Sequence, residues 1–79
     1  MKESLSGKVY SVLKDRIIRF ELKPGERIQE RDISIELGVS RTPIREALTI
    51  LEQEGLIKTS PNNGYFISHI TRQEIEEVD

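Results

Sequence analysis

The sequence has no cysteine and no tryptophan, and His69 is its only histidine. Without thiols there are no disulfides, no thiolate metal ligands and no cysteine nucleophile, and a lone imidazole cannot assemble a metal site. This usage fits a reducing cytoplasm, the expected compartment. Long apolar runs are missing as well: none approaches the roughly 20 residues that span a bilayer, and the opening MKESLSGK lacks the apolar stretch of a signal peptide. No membrane association is expected. A large core is excluded too, because a chain of 79 residues folds as one domain that buries roughly 60% of its unfolded surface. Little remains to line a deep substrate pocket, so neither enzymatic chemistry nor a cofactor or metal is expected within these residues.

A strong positive balance is also absent. The net charge is −2 with a pI near 5.4, which taken alone argues against a nucleic-acid partner. The distribution weakens that objection, because TRQEIEEVD at the end carries −3 and leaves residues 1–70 at +1. Any affinity for DNA must therefore rest on a local cluster of charge.

What is present is a change of hydrophobic period along the chain. Leu5, Val9, Val12, Leu13, Ile17 and Phe20 recur at helical spacing up to Pro24-Gly25, predicting a helix from about Ser6 to Glu21. Glu26-Arg27-Ile28 reads as a brief strand with Ile28 inward. Ile33 and Leu37 support a second helix over Glu30 to Leu37, started by a poor cap at Gln29 and ended by Gly38. Ser40 then caps a third helix, Pro43 sits where a missing N–H is tolerated, and Ile44, Ala47, Leu48 and Leu51 form the apolar stripe before Gly55. Beyond Gly55 the period shortens to two. Leu56–Thr59 and Tyr65–Ile70 flank a loop containing Asn63-Gly64, predicting a hairpin with either Tyr65 or Phe66 facing the core.

The order of elements predicts a mainly α fold with a small β-hairpin: a winged helix-turn-helix of three helices plus wing. In such folds the second helix of the pair enters the major groove of DNA. On a helical wheel with Ile44 at zero the apolar stripe centres near −10°, while Arg41, Arg45, Thr49 and Thr42 fall at about 60°, 100°, 140° and 160°. Both arginines thus lie on one exposed arc, where a forked guanidinium suits guanine O6 and N7. Arg31 opens the preceding helix, within reach of the flanking backbone. Exposed arginines also simply solvate helices, and spacing alone does not separate the two readings. Glu46, near 200°, is expected in a structural ion pair, and His69 at the surface or facing another domain.

The run PGERIQERDISIELGVSRTPIREALTILEQEGLI, followed by PNNGYFIS, resembles the DNA-binding domain of GntR regulators, over residues from about 8 to 70. The stretch RTPIREAL is similar to the branch whose C-terminal portion is the all-helical FCD effector domain. The resemblance implies DNA contacts at Arg31, Ser40, Arg41, Thr42 and Arg45, and a wing-tip glycine, Gly64, close to the minor groove. Ser40 combines this role with capping, and the Thr42 hydroxyl competes with satisfaction of the helix end. Lys58 is the only cation between Arg45 and Arg72 and is expected to meet phosphate. Many relatives have a basic residue where Asn63 stands, so the wing is expected to contribute less phosphate attraction than usual. Ile35 and Ile50, at positions often polar in the family, suggest extra packing or a surface covered by another domain.

The domain is accordingly expected over residues 6–70, with 71–79 a linker or the start of a C-terminal effector-binding domain. Glu74-Ile75-Glu76-Glu77-Val78 resembles the lead-in to the first FCD helix, and truncation is the expectation. The expected partner is a palindromic double-stranded operator, bound by a homodimer of the full-length protein, with the isolated domain monomeric and repression the usual outcome. Two other readings stay open: a winged helix used for protein contacts, and the N-terminal part of a GntR protein fused to an aminotransferase-like domain. The cluster Arg31, Arg41 and Arg45 disfavours the first, and the acidic ending the second.

Overall fold

The computed structural model describes residues 4–61 and 64–69. Its elements are α1 (Leu5–Ile18), β1 (Arg27–Ile28), α2 (Glu30–Leu37), α3 (Arg41–Gln53), β2 (Ile57–Ser60) and β3 (Gly64–Ile67). The three helices and the wing follow the expected order. Residues 71–79, with the expected linker, and Ile70, Asn62 and Asn63 lie outside the described residues.

α1 starts one residue earlier than its hydrophobic pattern implies, because Ser4 supplies the cap: Gly7 N–H donates to Ser4 Oγ at 3.0 Å. It also stops short of Glu21. Phe20 adopts φ 61°, and the Glu21 and Leu22 N–H groups donate to the Arg16 carbonyl at 2.9 and 3.1 Å. A left-handed residue other than glycine costs about 1–2 kcal/mol, and here it reverses the chain so that β1 can join the sheet. Phe20 is consequently only half-buried and stands apart from the core, while Leu5 is 55% exposed. The apolar stripe of α1 is narrower than the sequence suggests.

α3 occupies the centre. Ile44, Ala47, Leu48 and Leu51 are all completely buried, packed with Val9, Leu13 and Ile17 of α1, Ile33 of α2, and Ile28, Ile57 and Ile67 of the sheet. The sheet order is β1-β3-β2, antiparallel throughout. The expected hairpin is therefore one half of a three-stranded sheet, in which β1 pairs Arg27 with Phe66 and Ile28 with Tyr65. Alternation along β3 turns Tyr65 and Ile67 toward the core and Phe66 to the outer face, consistent with Tyr65 packing on the core cluster. Ile35 and Ile50 remain 71% and 42% exposed, so neither is absorbed into the packing of the described residues. His69 is exposed, its ring 3.2 Å from where a Cβ on Gly25 would stand.

Polar contacts tie the helices at the rim. Tyr10 Oη donates to the Glu54 carboxylate at 2.7 Å, and Lys14 Nζ donates to Tyr10 Oη at 3.0 Å, a contact that raises the Lys14 pKa above its ordinary value. Arg16 donates both terminal nitrogens to Glu36, joining α1 to α2; this hydrogen-bonded guanidinium lowers the Glu36 pKa.

Because the folded carboxyl is the stronger acid, the pair stabilises the fold above the ordinary carboxylate pKa of about 4.3 and loses that contribution as pH falls through the depressed folded value. Arg16 stays charged throughout. Glu36→Gln should lower stability near neutral pH by less than about 1 kcal/mol, as expected for a pair at the surface. In urea denaturation the difference from wild type should shrink as pH falls below the ordinary carboxylate range; a difference that grows on acidification would contradict this role for the pair.

Candidate nucleic-acid interface

The turn between α2 and α3 is fastened locally. Gly38 ends α2 at φ 67°, a conformation that glycine adopts without strain. Ser34 Oγ then donates to the Val39 carbonyl at 2.6 Å, while Val39 N–H donates back to the Ser34 carbonyl at 3.3 Å. These contacts set the direction in which α3 departs. With its stripe Ile44-Ala47-Leu48-Leu51 buried, the opposite arc carrying Arg41, Thr42, Arg45 and Thr49 is exposed.

Ser40 stands at the N-cap of α3, but its side chain makes no capping hydrogen bond, which corrects the expectation of a side-chain cap. The reason lies in the next turn. A capping hydroxyl accepts from the second or third helical N–H, and the third position is Pro43, which has none. Ser40 is exposed at a helix start that attracts anions. Thr42 is exposed and forms no side-chain hydrogen bond among the described residues. Glu46, expected in an ion pair, is exposed and makes none with any described residue.

Arg45 differs from its expected state as a free base-reading side chain. Its Nε donates to both oxygens of Glu30 at 3.2 Å, and the guanidinium is 62% exposed against 18% for the Glu30 carboxylate. Glu30 begins α2, where a negative charge is favoured by the helix dipole. It holds Arg45 by the inner nitrogen and leaves the two terminal nitrogens without a hydrogen bond among the described residues. Nothing in the sequence pairs positions 30 and 45. The contact arises only when the helix-turn-helix closes.

Arg31 and Arg41 converge on a cleft of about 330 Å³ bounded by β1, the starts of α2 and α3, and the wing. Gly64 and Tyr65 form its wing side, and Arg27 of β1 lines it as well. Sequence reasoning missed Arg27, although an inward Ile28 already implied an outward Arg27. Lys58 is exposed on β2, across β3 from β1, and is not part of the cleft. Arg31, Arg41 and Gly64 are thus brought together; Ser40, Thr42 and Arg45 continue the surface along α3, and Lys58 stands apart.

A short helix, a tight turn and a second helix with its apolar stripe buried and its arginines outward, backed by a wing, is the arrangement by which winged helix-turn-helix domains present a helix to duplex DNA. Residues 5–67 match the family described as "Bacterial regulatory proteins, gntR family", and the chain belongs to that family: it is the DNA-binding domain of a GntR-type transcriptional regulator. It is 44% identical over 69 residues to the uncharacterized HTH-type transcriptional regulator YdhC of Bacillus subtilis, covering 87% of this chain and 31% of that protein. Among solved structures, a putative GntR transcriptional regulator from Rhodococcus superposes with a TM-score of 0.83 at 37% identity, over 95% of this chain and 36% of the other. The DNA-binding domain of AraR in complex with its operator ORR3 gives 0.79 at 25% identity, over 86% and 83%. The chain spans about a third of the length of the curated relatives it matches. Among the described residues no helix is long and apolar enough to cross a membrane.

Removing the Glu30 carboxylate should separate its two effects. Glu30→Gln is expected to change stability by at most about 1 kcal/mol, since Arg45 stays largely in water. It should broaden the base preference of the domain, because the guanidinium loses the contact that orients it. Binding-site selection with the variant checks this, and an unchanged preference would show that Glu30 does not aim Arg45.

Proposed function

We propose that this domain reads a palindromic operator as one half of a homodimer, with α3 in the major groove, Arg41 and Arg45 at base edges, and Arg31, Ser40, Thr42 and Lys58 on the flanking backbone. Gly64 brings the wing tip toward the minor groove. The observation that carries this reading is that Arg31 and Arg41, at the starts of α2 and α3, have no ion pair or hydrogen-bond partner among the described residues, and neither do the terminal nitrogens of Arg45 beside them. Arginine there offers paired donors to guanine and charge to phosphate. The relatives are about three times as long as this chain, which supports a following effector-binding domain, of the FCD type suggested by RTPIREAL. In this reading the domain acts in the cytoplasm, carries no catalysis or cofactor of its own, and represses by occupying the operator until an effector binds the following domain.

Selection from a random duplex pool tests the assignment. Binding should appear below about 100 µM, the weak end of ordinary non-specific affinity; no binding at that concentration would leave a protein-contact module as the better reading. Arg45→Lys keeps the charge but loses the fork, so it should relax preference at one base pair and cost about 1–3 kcal/mol on the selected site. Lys58→Ala should weaken all sequences alike and lower the slope of log K against log salt by about one unit. If Arg45→Lys keeps both affinity and preference, Arg45 is a backbone contact and Arg41 becomes the base reader.

Oligomeric state provides a separate check. The 79-residue chain should sediment as a monomer at micromolar concentration and bind a palindrome more weakly than the full-length protein, by roughly 10²–10⁴ if linkage supplies the avidity. A stable dimer of the chain alone would place the dimer interface within the domain.

A further inference from the structure

The arginines among the described residues divide into two groups. Arg16 is bound to Glu36, Arg19 to Asp15 at 3.1 Å and Arg45 to Glu30 at 3.2 Å. Arg27, Arg31 and Arg41 have no ion pair or hydrogen-bond partner among the described residues, and all three line the same cleft. The only carboxylate lining that cleft is Glu30, already committed to Arg45. Like charges that line one cleft repel one another, and a bound anion would offset that repulsion. Arg31 and Arg41 belong to the helix-turn-helix. Arg27 lies outside it, on the strand that completes the wing.

We propose that Arg27 is a DNA-backbone contact, holding a phosphate in the cleft between the wing and the start of α2. Its position is set by the sheet: Arg27 pairs with Phe66, and the adjacent Ile28, 6% exposed, anchors β1 in the core. The guanidinium runs past the wing-tip glycine, with Nε 4.0 Å from where a Cβ on Gly64 would stand. The cleft therefore joins charge carried by the sheet to charge carried by both helices. A backbone phosphate held there is gripped by the two halves of the domain at once. The hairpin itself has only Lys58 as a cation, two strands away from Arg27 in the order β1-β3-β2, or roughly 10 Å at ordinary strand spacing. Arg27 supplies charge on the side of the wing that the hairpin leaves without any. Three guanidiniums contributed by three elements, on the surface that α3 presents to DNA, suit a polyanion with regularly spaced phosphates. This inference rests on the DNA-facing orientation proposed above.

The test is a salt titration of the 79-residue chain on a fluorescent duplex carrying its selected site, and on a scrambled duplex, for wild type, Arg27→Gln and Arg27→Lys. Arg27→Gln should lower the slope of log K against log salt by about 0.9 and weaken binding roughly five- to tenfold near 0.1 M salt, equally on both duplexes. Arg27→Lys should restore most of the slope, since phosphate attraction needs the charge and not the fork. Thermal denaturation should be nearly unchanged, because Arg27 is exposed and has no partner among the described residues to lose. A slope within error of wild type for Arg27→Gln overturns the proposal, as does a change of preference confined to one base pair. Inorganic phosphate should compete no better than chloride at matched ionic strength; selective competition would make the cleft a free-anion site and overturn the assignment to DNA. Arg45→Lys on the same duplexes distinguishes the two levels of failure. If it relaxes base preference while Arg27→Gln is silent, only the role of Arg27 falls, whereas absence of duplex binding by wild type removes both.

Discussion

α3 has to satisfy two solvents at once. Ile44, Ala47, Leu48 and Leu51 are completely buried, and in a domain this small no other element could replace the apolar surface they remove from water. Rotating α3 by a quarter turn would expose that stripe, so burial fixes which residues face outward. Arg41, Thr42, Arg45 and Thr49 are presented on the opposite arc because the core allows no other rotation. The exposed arc of α3 is in this sense a by-product of packing.

Electrostatics then sorts the arginines that packing has placed. Arg16 and Arg19 are spent on carboxylates of the helical scaffold, away from the cleft. Arg45 is held through Nε by Glu30, and its two terminal nitrogens have no hydrogen bond among the described residues. Arg31 and Arg41, at helix starts where the N–H groups of the first turn already favour anions, have no ion pair among the described residues. A net charge of −2 is compatible with DNA binding because the charge is unevenly distributed: four acidic residues fall within residues 71–79, while Arg27, Arg31 and Arg41 line one cleft in which Glu30 is the only carboxylate.

Pro43 illustrates how one residue can serve both demands. It is buried, and by lacking an N–H it removes one of the two donors that a Ser40 side-chain cap could use. Reading serine as an N-cap followed a sound average rule. Ser40 does occupy the cap position, but its side chain makes no capping bond, and with proline as the third helical residue only the Thr42 N–H is left as a donor. The same kind of local override shortens α1, where Phe20 matches the helical period yet turns left-handed so that the chain can return to the sheet.

The sequence alone determined the order of elements, the stripe of α3, the glycine that ends α2 and the exposed arc bearing Arg41 and Arg45, since each depends on periodicity or backbone freedom within a few residues. The match of residues 5–67 to a bacterial regulatory family was legible for the same reason, as motifs are local strings. Tertiary structure decided what depends on residues distant in the chain: the pairing of β1 with β3 that stands Arg27 beside Gly64, the closure that brings Glu30 to Arg45, and the convergence of Arg27, Arg31 and Arg41 on one cleft. Glu30 and Arg45 are separated by a helix and a turn, and Arg27 and Phe66 by most of the domain. No periodic pattern reports such pairs, because they form only when burial of the shared core brings the segments together.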